Sequence, residues 1–411
     1  MSGKFYKLSM RDVTLRGKTV LVRADYNVPL NKKGEITDDY RIRMSLPTIQ
    51  KLLEEKCRIV IISHLGRPDG KRDMAYSLEP VAKRLATLLK HNVRFVDECV
   101  GPKVFMAIKR APQGSVTMLE NLRFHSEEEK NDKAFAQQLA KQTHAQYFVQ
   151  DGFGVVHRAH ASTSAITEYL PSMAGLLLER EYMTITETVK HPARPLVAVL
   201  GGAKVSDKIG VIQALVKVAD KIILGGAMAN TFLAHDGMRM GKSKVELSQD
   251  EVIERIYGSV RQKVGNKQVK DFLQLPVDLG VGTSLERTAT RKDISARAVG
   301  NREYALDIGP ASVESMLSAV SSARTVIWNG TLGMAELPAF AKSSVALAEF
   351  LTSHPDITSV IGGGDTTDFV LNWDAHASQH LTHISTGGGA SLELMSGTVL
   401  PGIKCLLPAK K

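Results

Sequence analysis

Four glycine clusters in the second half of the chain each sit directly after a short apolar run. Leu196-Val197-Ala198-Val199-Leu200 precedes Gly201-Gly202-Ala203-Lys204, and Ile222-Ile223-Leu224 precedes Gly225-Gly226-Ala227. Val360-Ile361 precedes Gly362-Gly363-Gly364-Asp365, and His383-Ile384-Ser385-Thr386 precedes Gly387-Gly388-Gly389-Ala390. Apolar runs this short fit strands buried on both faces, and glycine at the carboxyl end lets the backbone turn tightly. Such turns also bring backbone N–H groups against a ligand, and phosphate is the usual guest.

Both halves of the chain alternate β-type runs with helical patterns. Strands are expected at 19–22, 58–62, 93–96, 116–119 and 146–149, then at 196–200, 221–224, 272–276, 325–328, 359–361 and 383–385. Amphipathic helices are expected between them, among others at 46–56, 78–90, 132–141, 208–218, 249–264, 311–319 and 338–352. This rhythm predicts two doubly wound, mostly parallel α/β sheets of Rossmann-like type with helices on both faces. A helical stretch from Leu176 ends at His191-Pro192-Ala193-Arg194-Pro195, which reads as a hinge helix with a proline-rich exit. The expected domains are therefore 1–175 and 196–394, with 176–195 as helix and linker.

Composition narrows the class. The chain has 411 residues, 43% hydrophobic and 23% charged, as in a soluble globular protein with two full cores. No apolar run is long enough to span a membrane, and the N-terminus has no apolar leader, so a cytoplasmic protein is expected. Cys57, Cys99 and Cys405 are scattered, which argues for reduced thiols and against a zinc ribbon or disulfide frame. The net charge of +10 is lopsided: residues 1–180 hold 29 Lys+Arg against 20 Asp+Glu, and the remainder 24 against 23. A plain basic surface, a nucleic-acid patch and a site for an anionic small molecule all fit that imbalance. Aromatics are only 6% and no Lys/Arg block occurs, which disfavours nucleic acid.

The motifs favour the small anion. Gly237-Met238-Arg239-Met240-Gly241-Lys242-Ser243 resembles a P-loop, but it has three residues between its glycines where four are needed, and it follows no strand. Gly201–Lys208 is better: Lys204 and Lys208 lie four apart, on one face of the first turns of an expected helix, suited to phosphate oxygens. Asp365 at a strand mouth suits an N-cap or Mg²⁺ held on nucleotide phosphates. Gly387, Gly388 and Gly389 open a helix whose amides suit a developing negative charge. In the first half Arg23, Arg41, Arg67, Arg123 and Arg158 recur at loop positions, a set suited to a small polyanion. His157 and His160 are spaced for metal but lack a third ligand, and read as phosphate-site donors or structural residues.

Together these segments resemble the phosphoglycerate kinase family over nearly the whole chain. The segments are Arg23–Pro29, HLGRPDG (64–70), LENLRFH (119–125), FGVVHRAH (153–160), LGGAKVSDKI (200–209), LDIGP (306–310), GGGDT (362–366) and STGGGASLE (385–393). The resemblance implies that Arg23, Asp25, Asn27, Arg41, His64, Leu65, Gly66, Arg67, Arg123, His157, Arg158 and His160 bind 3-phosphoglycerate or 1,3-bisphosphoglycerate. It implies a nucleotide site at Gly202, Ala203, Lys204, Lys208, Gly226, Gly309, Asn329, Glu336, Gly363, Gly364, Asp365 and Thr366, with Asp365 on the Mg²⁺ side. Arg41, Lys204 and Gly387–Gly389 are then the expected catalytic groups. It further implies that 395–411 packs back on the first domain, that the chain is a monomer, and that its partners are small substrates with ADP and ATP. The segments depart from the family pattern at Ala227, Ala305, Thr331, Gln150, Gly152 and around Glu336.

The reaction implied is 1,3-bisphosphoglycerate + ADP ⇌ 3-phosphoglycerate + ATP. In the ATP-consuming direction the acceptor is a carboxylate, ionised at neutral pH because its pKa is roughly 3.5. No general base is needed, so a site rich in cations and N–H donors is the expected design.

Overall fold

The computed structural model describes residues 4–374 and 376–409, and it divides into two units. The first runs to Met183 and takes the chain back from Val399; the second is Thr184–Thr398.

Six strands make the first unit's sheet: β1 Thr19–Arg23, β2 Arg58–Ile62, β3 Val93–Val96, β4 Val116–Leu119, β5 Tyr147–Gln150 and β6 Ser172–Ala174. All pair in parallel, in the order β3-β4-β2-β1-β5-β6. The two-residue period sends alternate side chains into two separate cores. Val20, Val22, Ile59 and Ile61 face the helices Tyr40–Glu54 and Glu79–Leu89 through Ile42, Ile49, Leu52, Val81 and Leu85. Leu21, Val60 and Ile62 face Val104, Ile108, Phe135 and Leu139 of the helices Pro102–Lys109 and Lys133–Gln142. This is why central strands read as continuous apolar runs.

The second unit repeats the plan with β7 Leu196–Leu200, β8 Lys221–Leu224, β9 Leu273–Gln274, β13 Thr325–Asn329, β14 Thr358–Gly362 and β15 His383–Ile384. Their order is β15-β14-β13-β7-β8-β9, again parallel. A second sheet was not expected from the pattern: β10 Asp278–Gly282, β11 Lys292–Ser295 and β12 Tyr304–Ile308 pair antiparallel around β10. Its edge strand β11 is mostly exposed and polar, so it carries no apolar signal. Its inner residues Leu279, Val281 and Ala305 close a small core with Leu233 and Met240.

The helix Leu176–Lys190 carries the chain from the first unit into the second, and the division falls inside it. At the other end, Leu407 N donates to Ser172 O and Leu8 N to Leu407 O, which ties the last described residues to the first unit. Residues 410 and 411 of the expected returning segment lie outside the described residues.

One local expectation is corrected. After β7 a 3₁₀ turn, Ser206–Lys208, comes before the helix Ile209–Val218. Lys204 therefore lies in the loop, and the two lysines do not share a helix face.

Candidate active site

In the first unit the site elements gather at the carboxyl ends of the parallel strands, where open α/β sheets present their loops. Asp25, just past β1, organises them. Arg41 Nη1 donates to Asp25 Oδ2 at 2.5 Å, and Asn27 N donates to Oδ1 at 3.1 Å. Gly154 lies so close to this carboxylate that a Cβ there would strike Oδ2. Gly66 N donates to Asn27 Oδ1 at 2.8 Å, and Gly66 holds φ +64° against the Tyr76 ring, so only glycine fits. Arg123 Nη1 donates to Gly66 O at 2.6 Å. Arg67 and Arg158 are exposed, whereas the backbone of Leu65 is held by Asn121 through both its amide atoms.

Arg23 stands behind this face. It is 1% exposed, and its donors reach Ser162 Oγ, Ala24 O and His64 Nδ1 inside the protein. The histidines are held neutral. Burial, then the surrounding arginines, push His64 well below its ordinary range and His160 down to about 4. His157 is lowered by the same two causes.

In the second unit the glycine turns divide into two kinds. Gly201 N, Gly202 N and Gly226 N donate to Asn329 O, Thr331 O and Leu332 O. These glycines pack backbone on backbone: a Cβ on Gly226 would lie 2.8 Å from both N and O of Gly202. Their amides are satisfied within the protein, contrary to the expectation of bare donors. The other two clusters open the helices Gly364–Trp373 and Gly388–Met395. First-turn amides have no acceptor within a helix. A Cβ on Gly388 would lie 2.8 Å from Gly364 N, so the two positive helix ends adjoin. Asn329, 1% exposed, stands beside Gly363, and neither its Oδ1 nor its Nδ2 has a partner. Thr366 Oγ1 accepts from Gly330 N at 2.6 Å.

Lys208 is buried where Lys204 is exposed. Its ammonium donates to Gly201 O at 2.7 Å and Asn329 O at 3.0 Å, and burial pulls its pKa down to about 8, opposed by Asp365 and then Asp207.

Beside these turns lies a cavity of about 880 Å³, within the size range of sites for nucleotide-sized ligands. Gly202, Ala203, Gly226, Thr331, Glu336 and Asp365 line it, among others. Ala227 and Ala305, two of the departures, also line it. Lys204, Lys208, Asn329, Gly363, Gly364 and Thr366 of the expected set stand outside its lining, and so does Gly309, where a Cβ would strike the Asp278 carboxylate, so that glycine serves packing. Sequence reasoning missed Lys242, Tyr304, Asp368, Phe369 and Asn372 in this wall. The signal was available for the last three: with Asp365 they recur at 365, 368, 369 and 372, one helix face.

Among the described residues no group of three or more His, Cys, Asp or Glu is placed to hold a metal ion. A cation here would have Asp365 and the oxygens of a bound phosphate, which is the donor set Mg²⁺ favours.

The family model described as phosphoglycerate kinase matches residues 10–398. The phosphoglycerate kinase of Moorella thermoacetica is 45% identical over 97% of this chain and 99% of its own length. That of Gloeothece citriformis is also 45% identical, over 97% of each chain. The solved phosphoglycerate kinase from Coxiella burnetii superposes with a TM-score of 0.81 at 35% identity, covering 97% of this chain and 98% of its own. That from Pyrococcus horikoshii gives 0.80 at 28%, with the same coverage. The chain belongs to the phosphoglycerate kinase family.

Proposed function

We propose that the chain catalyses reversible phosphoryl transfer from 1,3-bisphosphoglycerate to ADP, as a monomer in the cytoplasm. The first unit takes the three-carbon acid on Asp25, Asn27, Arg41, His64, Arg67, Arg123 and Arg158. The second takes the nucleotide in the cavity beside Gly202–Lys208 and Gly363–Thr366. The observation that carries this reading is the pair of adjoining helix starts at Gly364 and Gly388, next to the unpartnered amide of Asn329. Buried orphan polar atoms beside two positive helix ends make a site for a polyanion.

The chemistry follows from the groups available. An oxygen of the ADP β-phosphate attacks phosphorus in line, the bond from phosphorus to the acyl oxygen breaks, and the carboxylate leaves with the electron pair. A carboxylate leaves without protonation, so no acid is needed, and the reverse reaction needs no base. The protein's work is alignment and charge stabilisation. Arg41, oriented by Asp25, and Lys204, exposed on the loop after β7, neutralise the equatorial oxygens. The amides of Gly388 and Gly389 add fixed dipoles. Lys208 holds the nucleotide phosphates against the Gly201 turn. Asp365, with the phosphate oxygens, would hold Mg²⁺, which when bound would further neutralise their charge. Closure of the two units, connected by the helix Leu176–Lys190, excludes the water that would hydrolyse an acyl phosphate.

A coupled assay with 3-phosphoglycerate and MgATP tests the reading. Wild-type turnover with a large loss in Asp365→Ala is expected; absence of turnover in the wild type would overturn it.

A further inference from the structure

Behind the three-carbon-acid face lies a line of buried polar groups that the reaction does not itself require. Glu128 is fully buried; its Oε1 accepts from Ser162 Oγ at 2.5 Å and its Oε2 from Ser162 N at 3.0 Å. Ser162 Oγ in turn accepts from Arg23 Nε at 2.7 Å. The hydroxyl has one proton, so this arrangement orients it completely. Arg23 Nη2 lies 3.9 Å from Glu128 Oε1 and 3.3 Å from His64 Nδ1.

The last contact decides a proton position. A guanidinium has five N–H donors and no acceptor. His64 Nδ1 must therefore present its lone pair to Arg23. A ring whose Nδ1 accepts is neutral and keeps its proton on Nε2. Asp25 Oδ1, the group that would draw a proton onto Nδ1, is 3.9 Å away, beyond hydrogen-bond reach. The other charged or titratable groups facing the ring are Arg23, Arg41, Arg123 and His160, none of which favours an imidazolium.

We infer that Glu128 and Ser162 are positioning residues that act through Arg23 to hold His64 as its neutral Nε2–H tautomer, so that the ring meets the substrate as a fixed hydrogen-bond donor. The substrate contact rests on the reading above of this face as the phosphoglycerate site; the tautomer does not. Glu128 supplies the buried counter-charge that a buried Arg23 requires. Ser162 fixes the plane of the guanidinium and so the aim of its Nη2.

The test begins with the free, full-length protein carrying ¹⁵N-histidine. Long-range ¹H–¹⁵N spectra between pH 6 and 8, with His64→Gln to identify the signals, are expected to show His64 Nδ1 bare and Nε2 protonated throughout. A proton on Nδ1, or an imidazolium at pH 6.5, overturns the inference. Ser162→Ala and Glu128→Gln are then expected to raise KM for 3-phosphoglycerate by roughly tenfold, the worth of one oriented hydrogen bond, with KM for ATP unchanged. Both should also lose the single tautomer in the same spectra. Wild-type spectra and wild-type KM in both variants would remove the positioning role. Because the spectra are read without substrate, an inactive chain with the expected tautomer would sink the phosphotransfer reading and leave the proton assignment standing.

Discussion

Lys208 Nζ donates to the carbonyl oxygen of Gly201 at 2.7 Å. The lysine, expected to reach phosphate oxygens, thus also closes the glycine turn, and it does so from a buried position, with its pKa pulled down to about 8. A nucleotide phosphate beside this ammonium would restore its proton affinity. Binding of ADP near pH 8.5 is therefore expected to take up protons, seen by calorimetry in buffers of different ionisation heat. Lys208→Met should abolish that uptake and weaken ADP roughly ten- to a hundredfold, the range of a charge-assisted bond. The linkage has a second sign. Charge on this lysine costs folding stability below about pH 8, and that cost is relieved as pH rises toward the unfolded value. Wild type should gain melting temperature relative to Lys208→Met between pH 8 and 10; a flat difference would argue against the burial.

Gly388 has no room for a side chain because Gly364 N stands 2.8 Å from the place a Cβ would take. The obstacle is backbone, so it cannot swing aside. Gly388→Ala is expected to push the two helix ends apart, at about 1–3 kcal/mol of stability. Catalysis should fall further than stability predicts, with kcat down at least tenfold in protein that still melts cooperatively.

Arg41 is the one arginine of the first face held by Asp25 and still partly open to solvent. Arg41→Ala is expected to lower kcat by orders of magnitude while ADP affinity, measured by titration, stays near wild type. Equal loss of nucleotide binding would contradict the division of labour between the units. Arg41→Lys keeps the charge but not the forked geometry, and should recover only a fraction of the rate.

Asp151 caps the start of the helix Leu176–Lys190, with Oδ1 accepting from Leu177 N at 2.9 Å, while Oδ2 is buried without a partner. Burial pushes its pKa up to about 7, against the bonds from Thr48 and the helix amides. An acid raised in this way costs stability progressively between its unfolded pKa, near 4, and about 7. Asp151→Asn keeps an acceptor for the helix amides and removes the titration. Its melting temperature should therefore vary less than wild type's between pH 5 and 8. Parallel pH profiles would show that the carboxyl is not raised.

Much of this protein is legible in one dimension. Runs such as Leu196–Leu200 and Ile59–Ile62 announce central strands because both their faces must be dry. The glycines that directly follow Leu196–Leu200 announce its turn, and the motif segments point to the site loops. The sheet of β10–β12 is not legible in that way. Its edge is polar, and its pairing is decided by the small core under Leu279 and Val281.

The sequence by itself determined where the chain turns and which residue types reach the loops, since both are local demands of backbone geometry and charge. Only the tertiary structure decided what those residues face. Gly202 and Gly226 spend their amides on neighbouring carbonyls, while the first-turn amides at Gly364 and Gly388 have no acceptor within their own helices, because the first pair lies backbone against backbone and the second opens helices. Arg23 and Lys208 look like their exposed counterparts Arg67 and Lys204 in the sequence. Burial separates them, because a cation removed from water must satisfy its donors on the protein, and the groups that answer Arg23 and Lys208 include Ser162 and Asn329, more than a hundred residues away in the chain.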